Sequence, residues 1–223
     1  GRRGCEAKAM AEINNQWTFE VTPSMMVGKY VDAHFQGCLA TFKAQNPELF
    51  TKTGDLKAPY LNANEVIARC ERDPLFMKFM SGEKQTIMTA EMFGAKWKIK
   101  IDSYHPNVCI VDLKTMKSIR DAEYTKDFGF MDFIKFWGYD IQAAVYQKVV
   151  EINSGKKLPF YIAAASKEKE PDIEIIQLEQ AFLDEALARV ESQVPKILAL
   201  KKNEIEPFRC GACDYCKNTK ILT

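Results

Sequence analysis

Three things are scarce in this chain of 223 residues: histidine, which occurs twice, net charge, which is only +1, and long apolar runs. No stretch approaches the about 18 consecutive apolar residues that a membrane-crossing helix needs, and charged and polar residues stand where a secretory leader would carry its apolar centre. A cytoplasmic protein with no membrane partner is expected. The chain opens on Gly1-Arg2-Arg3 without a methionine, so Gly1 is set aside as foreign to the native sequence. With 31 basic against 30 acidic residues, bulk charge does not mark a nucleic-acid binder. Any such contact must come from local clusters such as Lys96, Lys98, Lys100, Lys114 and Lys117. Internal repeats and low-complexity tracts are also absent.

With 47% hydrophobic residues, the chain can bury a full core. One domain over residues 2–223 is expected, with a helical part over 2–82, a catalytic core over 83–202 and a cysteine-containing tail over 203–223. Apolar periodicity and capping residues predict helices over 5–14 and 24–45, the second capped by Thr22 or Ser24 with Pro23 near its start. A loop fills 46–59. Asn62 or Asn64 caps a short helix running into Arg69-Cys70-Glu71, and Asp73-Pro74 opens another before Ser81-Gly82. From Glu83 the period changes to two, giving strands near 84–92, 95–104 and 108–115. A helix over 132–153 ends at Ser154-Gly155, strands follow at 160–165 and 172–178, and a helix over 180–202 is kinked by Pro195. That order describes an α/β sandwich with a mixed central sheet flanked by helices.

The segment WKIKIDSYHPNVCIVDLK, from Trp97 to Lys114, reads as a hairpin turning at His105-Pro106-Asn107. With the turn centred on Pro106, Asp102 lies opposite Ile110 and diagonal to Asp112, at roughly 7–8 Å on one face. Two acids and a lysine converging at mid-sheet need a compensating charge. A hard divalent cation, Mg²⁺ or Mn²⁺, would supply it, with the Leu113 carbonyl as a third oxygen ligand. Lys114 would then face a water or the scissile phosphate. Taken alone, a D-x-K on a strand also fits an ordinary solvated sheet face. The aromatics Trp97, Phe128, Phe130, Phe133, Phe136 and Trp137 read mostly as core, with one or two near the cleft free to stack on bases.

RCGACDYC places Cys210, Cys213 and Cys216 in a C-x-x-C-x-x-C run, the spacing of a zinc or iron–sulfur site that lacks one ligand. Cys5, in GCEAKAM, is the candidate fourth. Cys38, Cys70 and Cys109 read as small core residues.

Around the hairpin stand His34 in VGKYVDAHFQG and the pair Gln142 and Tyr146 in WGYDIQAAVYQ. This ordered set resembles the RecB-type branch of the PD-(D/E)XK nucleases. Within it the chain is similar to the RecE-like exonucleases of phages and prophages (exodeoxyribonuclease VIII type), also around GYDIQAAVY and LPFYIAAASKEKEPDIEI. The resemblance implies that Asp102 and Asp112 bind metal, that Lys114 is the catalytic lysine, and that His34 is a metal-proximal or phosphate-facing histidine. Glu91 would be an additional acid. Gln142 and Tyr146, four apart on one helix face with Gly138, would position the substrate strand, with Lys117 as a further DNA contact and Gly138 allowing close approach. It further implies a Mg²⁺-dependent exodeoxyribonuclease for DNA recombination that acts on double-stranded DNA ends, leaves 5′ phosphates, forms a homo-oligomeric ring and works with a single-strand annealing protein. Some RecB-type relatives, including AddB and CRISPR-adaptation nucleases, close a 4Fe-4S cluster with one cysteine before the core and three after it. That order holds here, although the last gap is tighter, so zinc, a cluster lost on purification and plain reduced thiols stay open. An iron–sulfur endonuclease and a DNA-end-binding module without activity are the rival expectations.

Overall fold

The computed structural model describes residues 4–18, 20–125 and 129–221, so Phe128 and the outermost residues of the expected domain lie outside the described residues. Helices α1 (Glu6–Ile13), α2 (Pro23–Phe35), α3 (Leu39–Gln45), α4 (Asn62–Glu71) and α5 (Pro74–Phe79) precede strands β1 (Glu83–Met92), β2 (Ala95–His105) and β3 (Cys109–Met116). A small ribbon, β4 (Glu123–Thr125) and β5 (Gly129–Met131), leads to α6 (Phe133–Trp137) and α7 (Tyr139–Ser154). Then come β6 (Phe160–Ser166), β7 (Ile173–Gln177), α8 (Gln180–Lys201) and α9 (Asp214–Asn218).

The five-stranded sheet has the order β1-β2-β3-β6-β7. β3 and β6 run parallel, because α7 carries the chain back across the sheet between them, and the other pairs are antiparallel. β3 is therefore central and covered on both faces. Ile110 and Met116 join the core beneath α7 and α8, built on Val149, Val150, Leu183 and Val190. Cys109, Val111 and Leu113 join a second core with Val31, Val66 and Phe76 from α2, α4 and α5. Burial from both sides explains why β3 is mostly apolar apart from Asp112 and Lys114, and why β6 carries its Ile162-Ala163-Ala164-Ala165 run.

Two helices that read as continuous are divided. Gly37 (φ +72°) follows α2, so 24–45 is two helices, and Gly138 (φ +73°) separates α6 from α7. A Cβ at Gly138 would meet nothing within 4 Å, so this glycine serves a left-handed turn and not a close approach of the helix to the sheet. α8 runs on through Pro195. The β4–β5 ribbon has no counterpart in the sequence reading.

The hairpin between β2 and β3 pairs His105 with Cys109, Tyr104 with Ile110 and Ser103 with Val111. Its centre is Asn107 (φ +64°), not Pro106, and Val108 N–H donates to the His105 carbonyl at 2.9 Å. Proline before a left-handed asparagine is the pattern of a type II turn, with proline in its first central position. Continuing this register sets Asp102 across from Asp112, not across from Ile110. A shift of two residues keeps every side chain on its face, so the convergence of the two acids survives the correction.

Candidate active site

The β2–β3 ladder ends at Ser103 and Val111. One residue further along β2, the Asp102 carboxylate accepts the Leu113 N–H at 3.0 Å, so a side chain stands where a backbone carbonyl would continue the sheet. Asp112 is 3% exposed and both its oxygens are held. Gln142 Nε2 donates to Oδ1 at 2.9 Å, and Lys114 Nζ lies 2.5 Å from Oδ2. Lys114 also stands over the Tyr139 ring, 4.9 Å from its centre. Tyr146, beside them on α7, has its phenol pushed up by burial, with the Asp112 charge adding to that and Gln142 and the Lys100 backbone pulling the other way. Gln142, expected to position the substrate strand, holds Asp112 from α7, with Tyr146 one turn further along the same helix.

The charges here are incompletely compensated. Burial first, then the neighbouring Asp112 charge, raises the Asp102 pKa to about 6, with the Leu113 N–H and Lys114 pulling the other way. Lys114 feels burial pushing it down, but the charge and hydrogen bond of Asp112 outweigh that and leave it above the usual lysine range. It is a fixed cation. Asp32, half-buried on α2, is raised to about 7 by burial and then by the charge of Asp102, against the pull of Lys114. Three carboxylates around one ammonium form a donor set that one divalent, oxygen-seeking cation would balance, which is the chemistry of Mg²⁺ or Mn²⁺.

The α2 position that faces these acids is Asp32, and the expectation for His34 is corrected accordingly. Two residues along a helix turn the side chain by about 200°, and His34 points to α4, where Nε2 meets Glu71 Oε1 at 2.8 Å. Asp32 is singled out in space by Gly28, four residues earlier on the same helix face. α2 sits so close to β3 there that a Cβ on Gly28 would lie 2.7 Å from Thr115 Oγ1. Glu91 is also removed from the set, because its side chain is 78% exposed at the far end of β1, opposite Lys96.

A cleft of about 570 Å³ opens over these groups, lined among others by Asp32, Leu113, Lys114, Lys117, Trp137 and Lys167. Asp102 and Asp112 lie behind the lining. Lys29, Lys117 and Lys167 give its walls positive charge. Trp137, 54% exposed, is an aromatic free to stack at the cleft, whereas Phe133 is core.

Away from the cleft, Cys5 and Cys216 bring their Sγ atoms to 3.4 Å, and Cys210 Sγ is 4.0 Å from Cys216 Sγ. All four sulfurs, Cys213 included, lie within 4.8 Å of one another. Cys70 and Cys109 are buried as expected, but Cys38 is exposed, at the start of α3. Among the described residues no helix is long and apolar enough to cross a membrane.

A central mixed sheet with paired acids and a lysine on its middle strands, flanked by helices, is the PD-(D/E)XK fold class. Residues 2–219 match the PDDEXK-like domain of unknown function DUF3799, and the chain belongs to that family. Among solved structures it is similar to a protein from Eubacterium rectale described as a "Putative exonuclease", at 54% identity and a TM-score of 0.92, covering 98% of this chain and 82% of that one. The search of curated proteins gives no match.

Proposed function

We propose that this protein is a metal-dependent deoxyribonuclease, an exonuclease that hydrolyses phosphodiester bonds at double-stranded DNA ends. The observation that carries the reading is the convergence of Asp102, Asp112, Lys114 and Asp32 at the base of a basic cleft. Family membership supports the nuclease chemistry, and the similar Eubacterium rectale protein supports the exonuclease assignment. Asp102, Asp112, the Leu113 carbonyl and Asp32 would hold Mg²⁺ or Mn²⁺, which supplies Lewis-acid polarisation of the phosphate and a more acidic water.

The chain's own residues then do the following. Lys29, Lys117 and Lys167 draw the phosphate backbone into the cleft, and Trp137 offers a face on which an end base stacks. Lys114, kept protonated by Asp112, presents positive charge to the phosphoryl oxygens as negative charge builds in the transition state. It acts as a cation. Gln142 fixes Asp112, so the deepest acid keeps one orientation.

Resemblance to RecE-like enzymes supports a recombination role in the cytoplasm, a homo-oligomeric ring and a single-strand annealing partner. The order of the cysteines along the chain, one before the core and three after it, supports one second reading, an iron–sulfur nuclease with endonuclease activity. A timed digestion with Mg²⁺ of end-labelled linear duplex beside a covalently closed circle tests both. Loss of label from the linear duplex with an intact circle is the expected result. Nicking of the circle establishes the second reading, and no cleavage of either substrate, with Mn²⁺ as well, removes the nuclease assignment.

A further inference from the structure

The four cysteines form a centre separate from the acids of the cleft, and their spacing discriminates between the metals that thiolates bind. Zinc held by four sulfurs at about 2.3 Å places them at the corners of a tetrahedron with edges of about 3.8 Å. The separations of 3.4 Å between Cys5 and Cys216 and 4.0 Å between Cys210 and Cys216 bracket that edge. No pair of the four exceeds 4.8 Å. A four-iron cluster puts irons and sulfides between its thiolates and needs them further apart.

The surroundings suit thiolates. Backbone N–H groups of Lys8, Cys213 and Cys216 donate to the sulfurs of Cys5, Cys210 and Cys213 at 3.4, 3.3 and 3.5 Å. Such donors stabilise the charged form and fix its direction. Gly211 (φ +71°) makes the turn that brings Cys210 beside Cys213, and Cys213 caps α9, which carries the buried Cys216. Trp17 packs edge-on against Tyr215 next to the cluster.

We infer that Cys5, Cys210, Cys213 and Cys216 hold one zinc ion in a closed four-thiolate site that fastens α1 to the segment ending in α9. Four protein ligands leave no open position, so the site is structural and takes no part in hydrolysis. Binding exchanges thiol protons for Zn²⁺ and changes no oxidation state.

The test uses the full chain, expressed with iron and zinc both supplied and purified without oxygen, and reads metal content directly. About one zinc per chain with no iron is expected. The cobalt-substituted protein should show thiolate charge-transfer absorbance and the intense visible bands of a tetrahedral site. Cys5→Ser and Cys213→Ser should lose the zinc, while Cys38→Ser should keep it. Iron and acid-labile sulfide in cluster amounts with brown absorbance would overturn the inference. So would a metal-free chain in which all four thiols react with a thiol reagent as fast as Cys38. Because the unmutated protein supplies the deciding measurement, a variant that fails to fold does not blur the result. None of these readouts depends on nuclease activity.

Discussion

Gln142 donates to Asp112 Oδ1 at 2.9 Å while Lys114 holds Oδ2, so the most deeply buried acid of the cleft has no free rotation. Its orientation is set by α7. Removing that brace with Gln142→Ala should reduce kcat by about 10–100-fold, the usual effect of losing a partner of a metal-binding group. Steady-state digestion of linear duplex measures it. Gln142→Glu should be worse than alanine, because it sets a second charge against Asp112.

Asp102→Asn and Asp112→Asn should each bring cleavage below detection; Asp102→Asn should also raise the melting temperature of the metal-free protein by relieving the crowding of carboxylates, whereas Asp112→Asn leaves the buried Lys114 without its partner and should lower it. Lys114→Ala should abolish cleavage while calorimetry with Mn²⁺ still finds a site. Unchanged activity in either asparagine variant would remove the acids from the mechanism.

The pH dependence follows from the acids raised above the ordinary value of 3.8. Asp102, near 6, and Asp32, near 7, keep protons in the folded, metal-free state that the unfolded chain has already released. Where the unfolded state binds fewer protons, stability falls as pH rises. The chelator-treated protein should therefore melt higher at pH 6 than at pH 8, losing stability as the pH climbs through 6 to 7. Mn²⁺ should reverse the trend, because it competes with protons for the same oxygens. Asp32→Asn/Asp102→Asn should flatten the chelator-treated profile, and a profile unchanged in that double variant would sever the link to these two groups.

Asp32 and His34 separate experimentally. Asp32→Ala should lose most activity, whereas His34→Ala breaks only a partly exposed contact with Glu71 and should change stability by about 1 kcal/mol or less with activity within a factor of about two. The reverse result would restore the histidine to the site.

Gly138→Ala should destabilise by about 1–2 kcal/mol, because the position requires a left-handed backbone and offers open space for the methyl group. Gly138→Asn should be milder. Urea denaturation distinguishes them, and equal losses would mean that space, not φ, governs the position.

The hairpin that carries Asp102 and Asp112 was legible in the sequence because period-two alternation and a D-x-K report directly on a strand and its face. Its register was not, because Pro106 marks a turn without saying which turn position it occupies. His34 drew attention as a rare, chemically versatile residue, while Asp32 looked like one more acid among 30. Only the approach of α2 to β3 at Gly28 distinguishes Asp32, and that is a tertiary fact. The divisions at Gly37 and Gly138 were missed for a related reason, since an apolar stripe can continue across a left-handed glycine. The cysteines were readable as a group because few folds bring such a run together without a purpose. Their separations, which decide the metal, exist only in space.

Cys5 and Cys216 are 211 positions apart, yet their sulfurs touch, and the Ala7 N–H donates to the Phe208 carbonyl alongside them. In the order of synthesis, α1 is made before the sheet, but its partner leaves the ribosome only after β7 and α8. The first helix of the fold is thus among the last to dock, and until then Cys5 waits as an unprotected thiol. Trimming the tail therefore releases α1 as well, and a protease that cuts near α9 acts at both ends of the chain.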